Sequence, residues 1–353
     1  RWEIFKTLVA IHSKTIENAP LPKARDARDA LFNIRQYATP EEQAQIDAVL
    51  LASLEKDLRD GRLSGGRHSL EKMLIAIGPP SGPMLVRLLE DPKSAFRGLA
   101  ELLLKVGDEA TRDKGGSALI RRAMAEGEIS HDMWIAMGTL GGPSVTEFLT
   151  QKVLKGRPEE AAMAAKALQQ ARYPSVLPLA LKIASNAKSH NLVRDEMFGV
   201  IEKIGGPEAQ KGLLGIIAND KKDIVRYRAF EAALEAGKLE AVVPALEAFP
   251  ANLSFKKEDV MDFLVKDITK LGMGAKPEVL KALSSPSPLA RFVAIWALEA
   301  SLANTRQFLG TAVDAAMVLK LADDKASLKG LPADMTVGSE ARRVAAVLQK
   351  RGG

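Results

Sequence analysis

The 353-residue chain has no cysteine, and its four histidines occur in the short sequences IHSK, RHSL, SHDM and SHNL. The absence of cysteine excludes disulfide bonds, thiolate nucleophiles and metal centres held by cysteine. No histidine is followed by glutamate, so the His-Glu-x-x-His zinc motif is absent as well. We therefore expect neither a bound metal nor a cofactor.

Long apolar runs are also missing, since no stretch approaches the roughly 20 residues that a membrane-spanning helix requires. The chain begins with Arg1 rather than methionine, which indicates a trimmed or processed product, and a targeting segment would not be visible in it. The sequence predicts no membrane span within the chain. The sequence is compatible with a location in the cytoplasm or in the periplasm.

The chain lacks a block of charge of one sign. The formal net charge is +6, yet residues 275–353, the most basic part, combine eleven basic with seven acidic side chains. Nucleic-acid binding depends on clustered Lys and Arg that neutralise phosphates. The pattern therefore disfavours nucleic acid as a partner and favours a mixed surface that faces solvent.

What the chain does contain is a repeated glycine. The sequences IGPP, LGGP, IGGP and LGMG place Gly78, Gly141, Gly205 and Gly272 at spacings of 63, 64 and 67 residues. Each period holds four helical patterns, which predicts hairpins of about 32 residues. A glycine with positive φ ends one helix, and a proline begins the next. A phosphate-binding loop would need a preceding strand and a Gly-Lys-Ser/Thr ending, so these glycines are interpreted as helix boundaries.

One segment, DKKDIVRYRAFEAALEAGKLEAVVPALEAF, resembles a HEAT repeat in its turn acid, its Val-Arg pair and the proline inside the following helix. Similar patterns occur in SHNLVRDEMFGVIEKIGG, PSPLARFVAIWALEAS and GSEARRVAAVLQK, whereas EDVMDFLVKDI lacks the pair and SLKGLPADMTVGS is a long loop. The resemblance implies an all-α fold, a right-handed α-solenoid of about eight HEAT-like helical hairpins over residues 65–353.

Residues 1–64 lack the repeat and are predicted to form three helices, about 2–17, 23–37 and 40–60. Repeat arrays need atypical ends that cover the outermost hairpin, so this segment is interpreted as an N-terminal helical cap. The alternative is a separate partner-binding module. The first helix carries Trp2, Phe5 and Val9 on one flank and Ile4, Leu8 and Ile11 on another, a width that predicts burial of both flanks.

Arginines recur at matching positions of the second helices. In the proteins that the chain resembles, this arginine joins the turn acid of a neighbouring hairpin, so the resemblance implies a structural ladder. The functional alternative is a polar groove on the concave face of the second helices that binds an acidic or mixed-charge segment of another protein. The candidate residues for that groove are Arg97, Arg194, Arg226, Arg228, Glu231, Arg291, Arg342 and Arg343.

No catalytic motif is found. Gly-x-Ser-x-Gly is absent, the paired carboxylates lie at helix ends, and the His-Glu pairs that bind iron in the HEAT-like deoxyhypusine hydroxylases are missing. We therefore expect a non-enzymatic scaffold or adaptor, a component of a bacterial-type complex. The alternative is nucleic-acid binding, including a HEAT-like DNA glycosylase, although Trp134 and Trp296 lie in apolar helix stretches that predict core positions. An unrecognised enzyme, including a HEAT-like bilin lyase, stays open by fold alone.

Overall fold

A computed structural model describes residues 2–59, 67–94, 96–250, 259–302 and 307–351. The chain divides into two compact units, Arg1–Tyr173 and Pro174–Gly353. Within the described ranges the chain is helical, and its β pairing consists of two isolated bridges, Ser301 with Phe308 and Lys329 with Leu331. The predicted all-α fold class is confirmed.

The first unit contains helices α1 (Trp2–Asn18), α2 (Leu21–Arg35), α3 (Pro40–Arg59), α4 (Arg67–Ile77), α5 (Gly82–Glu90), α6 (Phe96–Val106), α7 (Glu109–Glu126), α8 (His131–Leu140), α9 (Pro143–Lys155) and α10 (Pro158–Ala171). The second unit contains α11 (Leu177–Ser185), α12 (Asn191–Ile204), α13 (Gly206–Asn219), α14 (Asp223–Gly237), α15 (Val242–Glu247), α16 (Asp259–Lys270), α17 (Lys276–Ala282), α18 (Pro288–Glu299), α19 (Ala315–Leu319) and α20 (Val337–Lys350). None of these helices combines the length and apolarity needed to cross a membrane.

The helices from α5 to α20 alternate as first and second helices, eight of each in the described part of the chain. Within the first unit the second helices α6, α8 and α10 contact one another in order, and within the second unit α12, α14, α16, α18 and α20 do the same. This stacking of like helices is the arrangement that the repeat pattern predicts.

The three N-terminal helices share one core with the start of the hairpins. Phe5, Leu31, Ile46 and Leu50 are buried together with Ile77 at the end of α4. The burial expected of the second flank of α1 is wrong, because Ile4 is 67% exposed and Ile11 is 55% exposed. The predicted domain boundary between residues 64 and 65 lies outside the described residues.

The four repeated glycines have the backbone conformation that the sequence predicts. Their φ angles are +75° at Gly78, +61° at Gly141, +64° at Gly205 and +73° at Gly272. L-residues with a Cβ are strained at these angles, so glycine is the residue that lets the chain leave one helix and enter the next without strain. The interpretation as helix boundaries is confirmed.

Candidate functional site

Two of the predicted arginines are enclosed in turns of the second unit. Arg194 on α12 donates from Nε and Nη2 to the carbonyl oxygen of Ala184 at 3.0 and 2.7 Å. It also pairs with Asp220 at 2.7 Å, and both side chains are almost inaccessible, at 2% and 5% exposure. Arg194 thus ties the end of the first helix of its own hairpin to the acid in the next turn.

Arg291 on α18 repeats this arrangement. It donates to the carbonyl of Ser285 at 2.6 Å and to Asp324 at 2.8 Å. In each case one arginine side chain satisfies a backbone carbonyl, in the last turn of a first helix or just beyond it, and a carboxylate, which a planar guanidinium can do because it carries five donors. These contacts are those of the structural ladder that the HEAT resemblance implies.

The other arginines at this repeated position of the second helices, which we call the ladder position, make different contacts. Arg342 on α20 donates to the carbonyl of Ala322, and Arg226 on α14 pairs with Asp223 of its own helix at 2.9 Å. In the first unit, Arg97 is 57% exposed and lies 3.7 Å from Asp132.

A further buried arginine, which the repeat pattern does not predict, is Arg122 on α7, at 8% exposure. It donates to the carbonyls of Asp91, Pro92 and Ser94. No signal pointed to it, because Arg122 lies on a first helix rather than at the repeated second-helix position.

A different environment surrounds Tyr227, which follows Arg226 on α14. The Tyr227 hydroxyl donates a hydrogen bond of 2.6 Å to Oδ2 of Asp267 on α16. Lys270, one turn later, donates to Oδ1 of Asp267 at 2.5 Å. The ring of Tyr227 packs against Phe263, with centroids 5.5 Å apart. We call these four residues, with Arg228 and Glu231, the tyrosine cluster.

The electrostatics of the tyrosine cluster favour a protonated, neutral Tyr227. Burial raises the pKa of Tyr227, and the hydrogen bond to Asp267 and the charges of Asp267 and Glu231 raise it further. The hydrogen bond to Asp267 raises the pKa of Lys270. Tyr227 therefore acts as a hydrogen-bond donor at neutral pH, and Asp267 accepts from two directions.

Two of the predicted candidates belong to this cluster. Arg228 donates to Glu231 at 3.3 Å, and the two side chains are 34% and 29% exposed. The neighbouring Glu235 has its pKa lowered by the hydrogen bond from Lys238 and by the charges of Lys203 and Lys270. Charged side chains of α12, α14 and α16 thus form one continuous field of mixed sign.

A second cluster joins α18 to α20. The indole nitrogen of Trp296 donates to Oε2 of Glu340 at 2.8 Å, and Glu340 is only 7% exposed. Arg343 donates to Glu340 at 2.9 Å and, through both terminal nitrogens, to Glu299 at 2.7 Å. These hydrogen bonds raise the pKa of Arg343. We call Trp296, Glu299, Glu340 and Arg343 the tryptophan cluster.

The structure therefore corrects one expectation about tryptophan. Trp134 is 4% exposed and lies in the core as predicted. Trp296 is only partly buried, because its indole N–H reaches the carboxylate of Glu340 on the next second helix. Sequence reasoning could not find this pair, since the two residues are separated by 44 positions.

We define the second-helix face as the tyrosine cluster together with the tryptophan cluster. Each cluster bridges one second helix to the next, and α16 contacts α18 between them. Three predicted residues, Arg228, Glu231 and Arg343, lie on this face. Among the described residues no group of three or more His, Asp or Glu side chains could hold a metal ion. The arrangement provides satisfied carboxylates, accessible cations and aromatic edges, which are the components of a recognition surface.

Comparisons with known proteins identify the repeat. Residues 146–234 match a family model described as HEAT repeats, which confirms the family resemblance drawn from the sequence. Among solved structures, human deoxyhypusine hydroxylase in complex with glycerol matches at 15% sequence identity, over 99% of this chain and 98% of that chain, with a TM-score of 0.20. No curated protein matches the chain significantly.

This comparison corrects the functional expectation. The prediction of a non-enzymatic scaffold or adaptor, and of a chain that is not an enzyme, is contradicted by the match to a hydroxylase, although the match does not show that this chain is an enzyme. A repeat architecture does not exclude catalysis, since function resides in sites placed on a fold. At 15% identity and a TM-score of 0.20, the likeness transfers no activity, substrate or site residue to this chain.

Proposed function

We propose that the second-helix face of the Pro174–Gly353 unit binds a segment of another protein that carries both acidic and basic side chains. The observation that carries the proposal is the construction shared by the two clusters. In each, an enclosed carboxylate accepts from an aromatic donor and a cation: Asp267 from Tyr227 and Lys270, Glu340 from Trp296 and Arg343.

The enclosed carboxylates fix the positions of the side chains that remain accessible. Lys270 is 52% exposed, Arg343 is 47% exposed and the ring of Phe263 is 45% exposed. Aromatic and arginine side chains are enriched at the centres of protein interfaces because they provide large, ordered contact areas. Positions held in place beforehand also reduce the entropy lost on binding.

The charges of the face define the chemistry of the partner. The accessible cations Lys270 and Arg343 favour acidic groups, whereas Glu231 and Glu299 favour basic groups at other positions. Charge complementarity of this kind contributes more to specificity and association rate than to affinity. A segment of mixed charge therefore fits the face better than a segment of one sign.

The test uses a displayed library of 15-residue random peptides selected against the full chain. We expect selected peptides to carry both signs of charge. The variants Arg228→Glu and Phe263→Ser should each weaken their binding about tenfold, measured by fluorescence anisotropy. The matched control is Lys281→Glu on first helix α17, because Lys281 pairs with Glu278 at 3.4 Å over the same helical spacing as Arg228 and Glu231.

Selected peptides of a single charge sign, or peptides that bind both variants as tightly as the parent chain, would refute the proposal. Circular dichroism melting of each variant separates loss of binding from loss of folding. Mass spectrometry of the peptides after incubation reports any chemical change, which keeps the question of catalysis separate from that of binding.

A further inference from the structure

A cleft of about 450 Å³ lies in the Arg1–Tyr173 unit, where α8 and α10 end beside the start of α7. Its lining includes Arg112 of α7 and three residues at the end of α10, Gln170, Arg172 and Tyr173. The turn after α8 leaves room for these side chains, because a Cβ added to Gly141 would lie 3.2 Å from the ring of Tyr173. The absence of a side chain at Gly141 therefore shapes the cleft.

The two arginines of this cleft differ from those that serve the fold. Arg122 and Arg194 each donate to a backbone carbonyl of a neighbouring turn, and Arg351 donates to the carbonyl of Leu298. The side chains of Arg112 and Arg172 make no hydrogen bond or ion pair with a residue that the structure describes, and their backbone N–H groups donate to the carbonyls of Asp108 and Leu168. Their guanidinium donors are therefore available to a ligand.

The backbone conformation of Arg172 is a second, independent feature of the cleft. Arg172 has φ +53° and ψ +33° at the C-terminal cap of α10, a left-handed conformation that glycine adopts without strain. Arg172 and Lys238 are the two residues other than glycine with positive φ in the described ranges. The backbone N–H of Arg172 caps α10 by donating to the carbonyl of Leu168, a contact that glycine would make without strain, so the arginine is accounted for if its side chain is needed in the cleft.

The remaining charges limit what the cleft can bind. The N-terminal turn of α9 is already capped, since the backbone N–H and hydroxyl of Ser144 both donate to Asp113. Glu109 also lines the cleft, and the carbonyl ends of α8 and α10 add negative potential. The negative potential of Glu109 and the helix ends offsets part of the positive charge of the two arginines. The small net positive charge that remains suits one small anionic group rather than a polyanion.

We infer that this cleft binds a small organic anion, a phosphate or carboxylate group attached to an apolar body. Arg112 and Arg172 bind the oxygens of the anion, because a planar guanidinium matches carboxylate and phosphate geometry. The ring of Tyr173 and the side chain of Leu104, which is 42% exposed, contact the apolar body. The amide of Gln170 adds a further hydrogen-bond donor at the edge.

The experiment titrates the full chain with phenyl phosphate, benzoate and inorganic phosphate, followed by calorimetry and by the arginine side-chain NMR signals. We expect saturable binding of phenyl phosphate or benzoate with a dissociation constant of about 1 mM or below. Inorganic phosphate should bind more weakly because it lacks the apolar body. Saturation by only one of the two organic probes supports the site and identifies the preferred anion.

Arg112→Gln and Arg172→Gln should each weaken binding about tenfold. The control is Arg121→Gln, an exposed arginine of the same helix that pairs with Glu90 outside the cleft, and it should leave binding unchanged. Glu109→Gln should tighten binding about twofold to threefold, since it removes a negative charge from the lining. Gln170→Glu should weaken it for the same electrostatic reason, and this exposed position keeps the test valid if an arginine variant fails to fold.

Absence of saturation by either organic probe up to about 10 mM at low salt would overturn the inference. Equal affinity in the parent chain and both arginine variants would overturn it as well. Weaker binding of the anionic probes to Glu109→Gln would show that the carboxylate of Glu109 does not oppose the ligand, which contradicts the placement of the anion in this cleft.

Discussion

Arg226 and Arg228 are two positions apart on α14, yet they belong to different regions of the molecule. Arg226 lies at the ladder position and its side chain is 15% exposed, whereas Arg228 is 34% exposed on the second-helix face. Residues i and i+2 of a helix do not share a face, so adjacent arginines in a repeat acquire different environments. Arginines at the ladder position thus serve contacts within the fold, whereas the arginines of the second-helix face stay accessible to solvent.

Among the changes considered, Arg194→Ala should cause the largest loss of folding stability, because Arg194 is the most deeply buried of the ladder arginines. The change leaves the carboxylate of Asp220 buried without its partner and the carbonyl of Ala184 without its donors. Breaking a buried pair in this way costs about 3–5 kcal/mol. Urea unfolding of the full chain measures the loss, and a change below about 1 kcal/mol would show that the ladder contributes little.

Gly205→Val tests the same turns through the backbone. Gly205 has φ +64° and ψ −159°, a region that residues with a Cβ rarely adopt. We expect a loss of about 1–3 kcal/mol in the free energy of unfolding. Since a Cβ at Gly205 would meet only the Glu202 carbonyl oxygen at 3.9 Å, the cost is conformational rather than steric.

The control for this change is Gly215→Ala. Gly215 lies inside α13, has ordinary helical φ, and has no atom within 4 Å of an added Cβ. Replacing it should stabilise the helix by up to about 1 kcal/mol. Equal destabilisation by the two substitutions would contradict the role assigned to the positive φ of Gly205.

Tyr227→Phe tests the second-helix face. It removes the hydroxyl that donates to Asp267 but keeps the ring beside Phe263. A hydrogen bond to a charged group contributes about 1.5–3 kcal/mol, and Lys270 still pairs with Asp267, so we expect a loss of about 1–2 kcal/mol. Thermal and urea unfolding of the two proteins measure it.

The pH dependence of unfolding in the parent chain and in Tyr227→Phe gives a second test of this hydrogen bond. The pKa of Tyr227 is raised in the folded protein above the ordinary value of 10.0, so its contribution is fully present below about pH 10 and is lost as pH rises above that value. The stability difference between the parent chain and Tyr227→Phe should therefore be constant at neutral pH and shrink in alkali. A difference that grows above pH 10 would contradict the assignment of Tyr227 as the donor.

The smallest effect is expected from Arg228→Glu. Arg228 and Glu231 form a partly exposed pair, and such pairs contribute about 0–1 kcal/mol. We expect a shift of about 0.5 kcal/mol or less in unfolding free energy, together with the tenfold loss of peptide binding described above. A large loss of stability would place Arg228 with the ladder arginines instead.

The error about catalysis has a physical origin. Missing motifs exclude the chemistries that require those motifs, but side chains from different hairpins can meet in space without any pattern in the chain. Trp296 and Glu340 meet in this way, and so do Tyr227 and Asp267. The repeat fold is therefore no evidence against an enzyme.

The sequence by itself determined the helical hairpins, their number in the array and the positive φ of the four repeated glycines. These features depend on the backbone preferences of individual residues and on the spacing of apolar residues, both of which can be read directly from the sequence. Only the tertiary structure decided that Arg194 is enclosed while Arg228 is accessible, that Trp296 binds a carboxylate, and that Arg112 and Arg172 share a cleft. Burial and charge pairing depend on which helices pack together, and those contacts join residues far apart in the sequence.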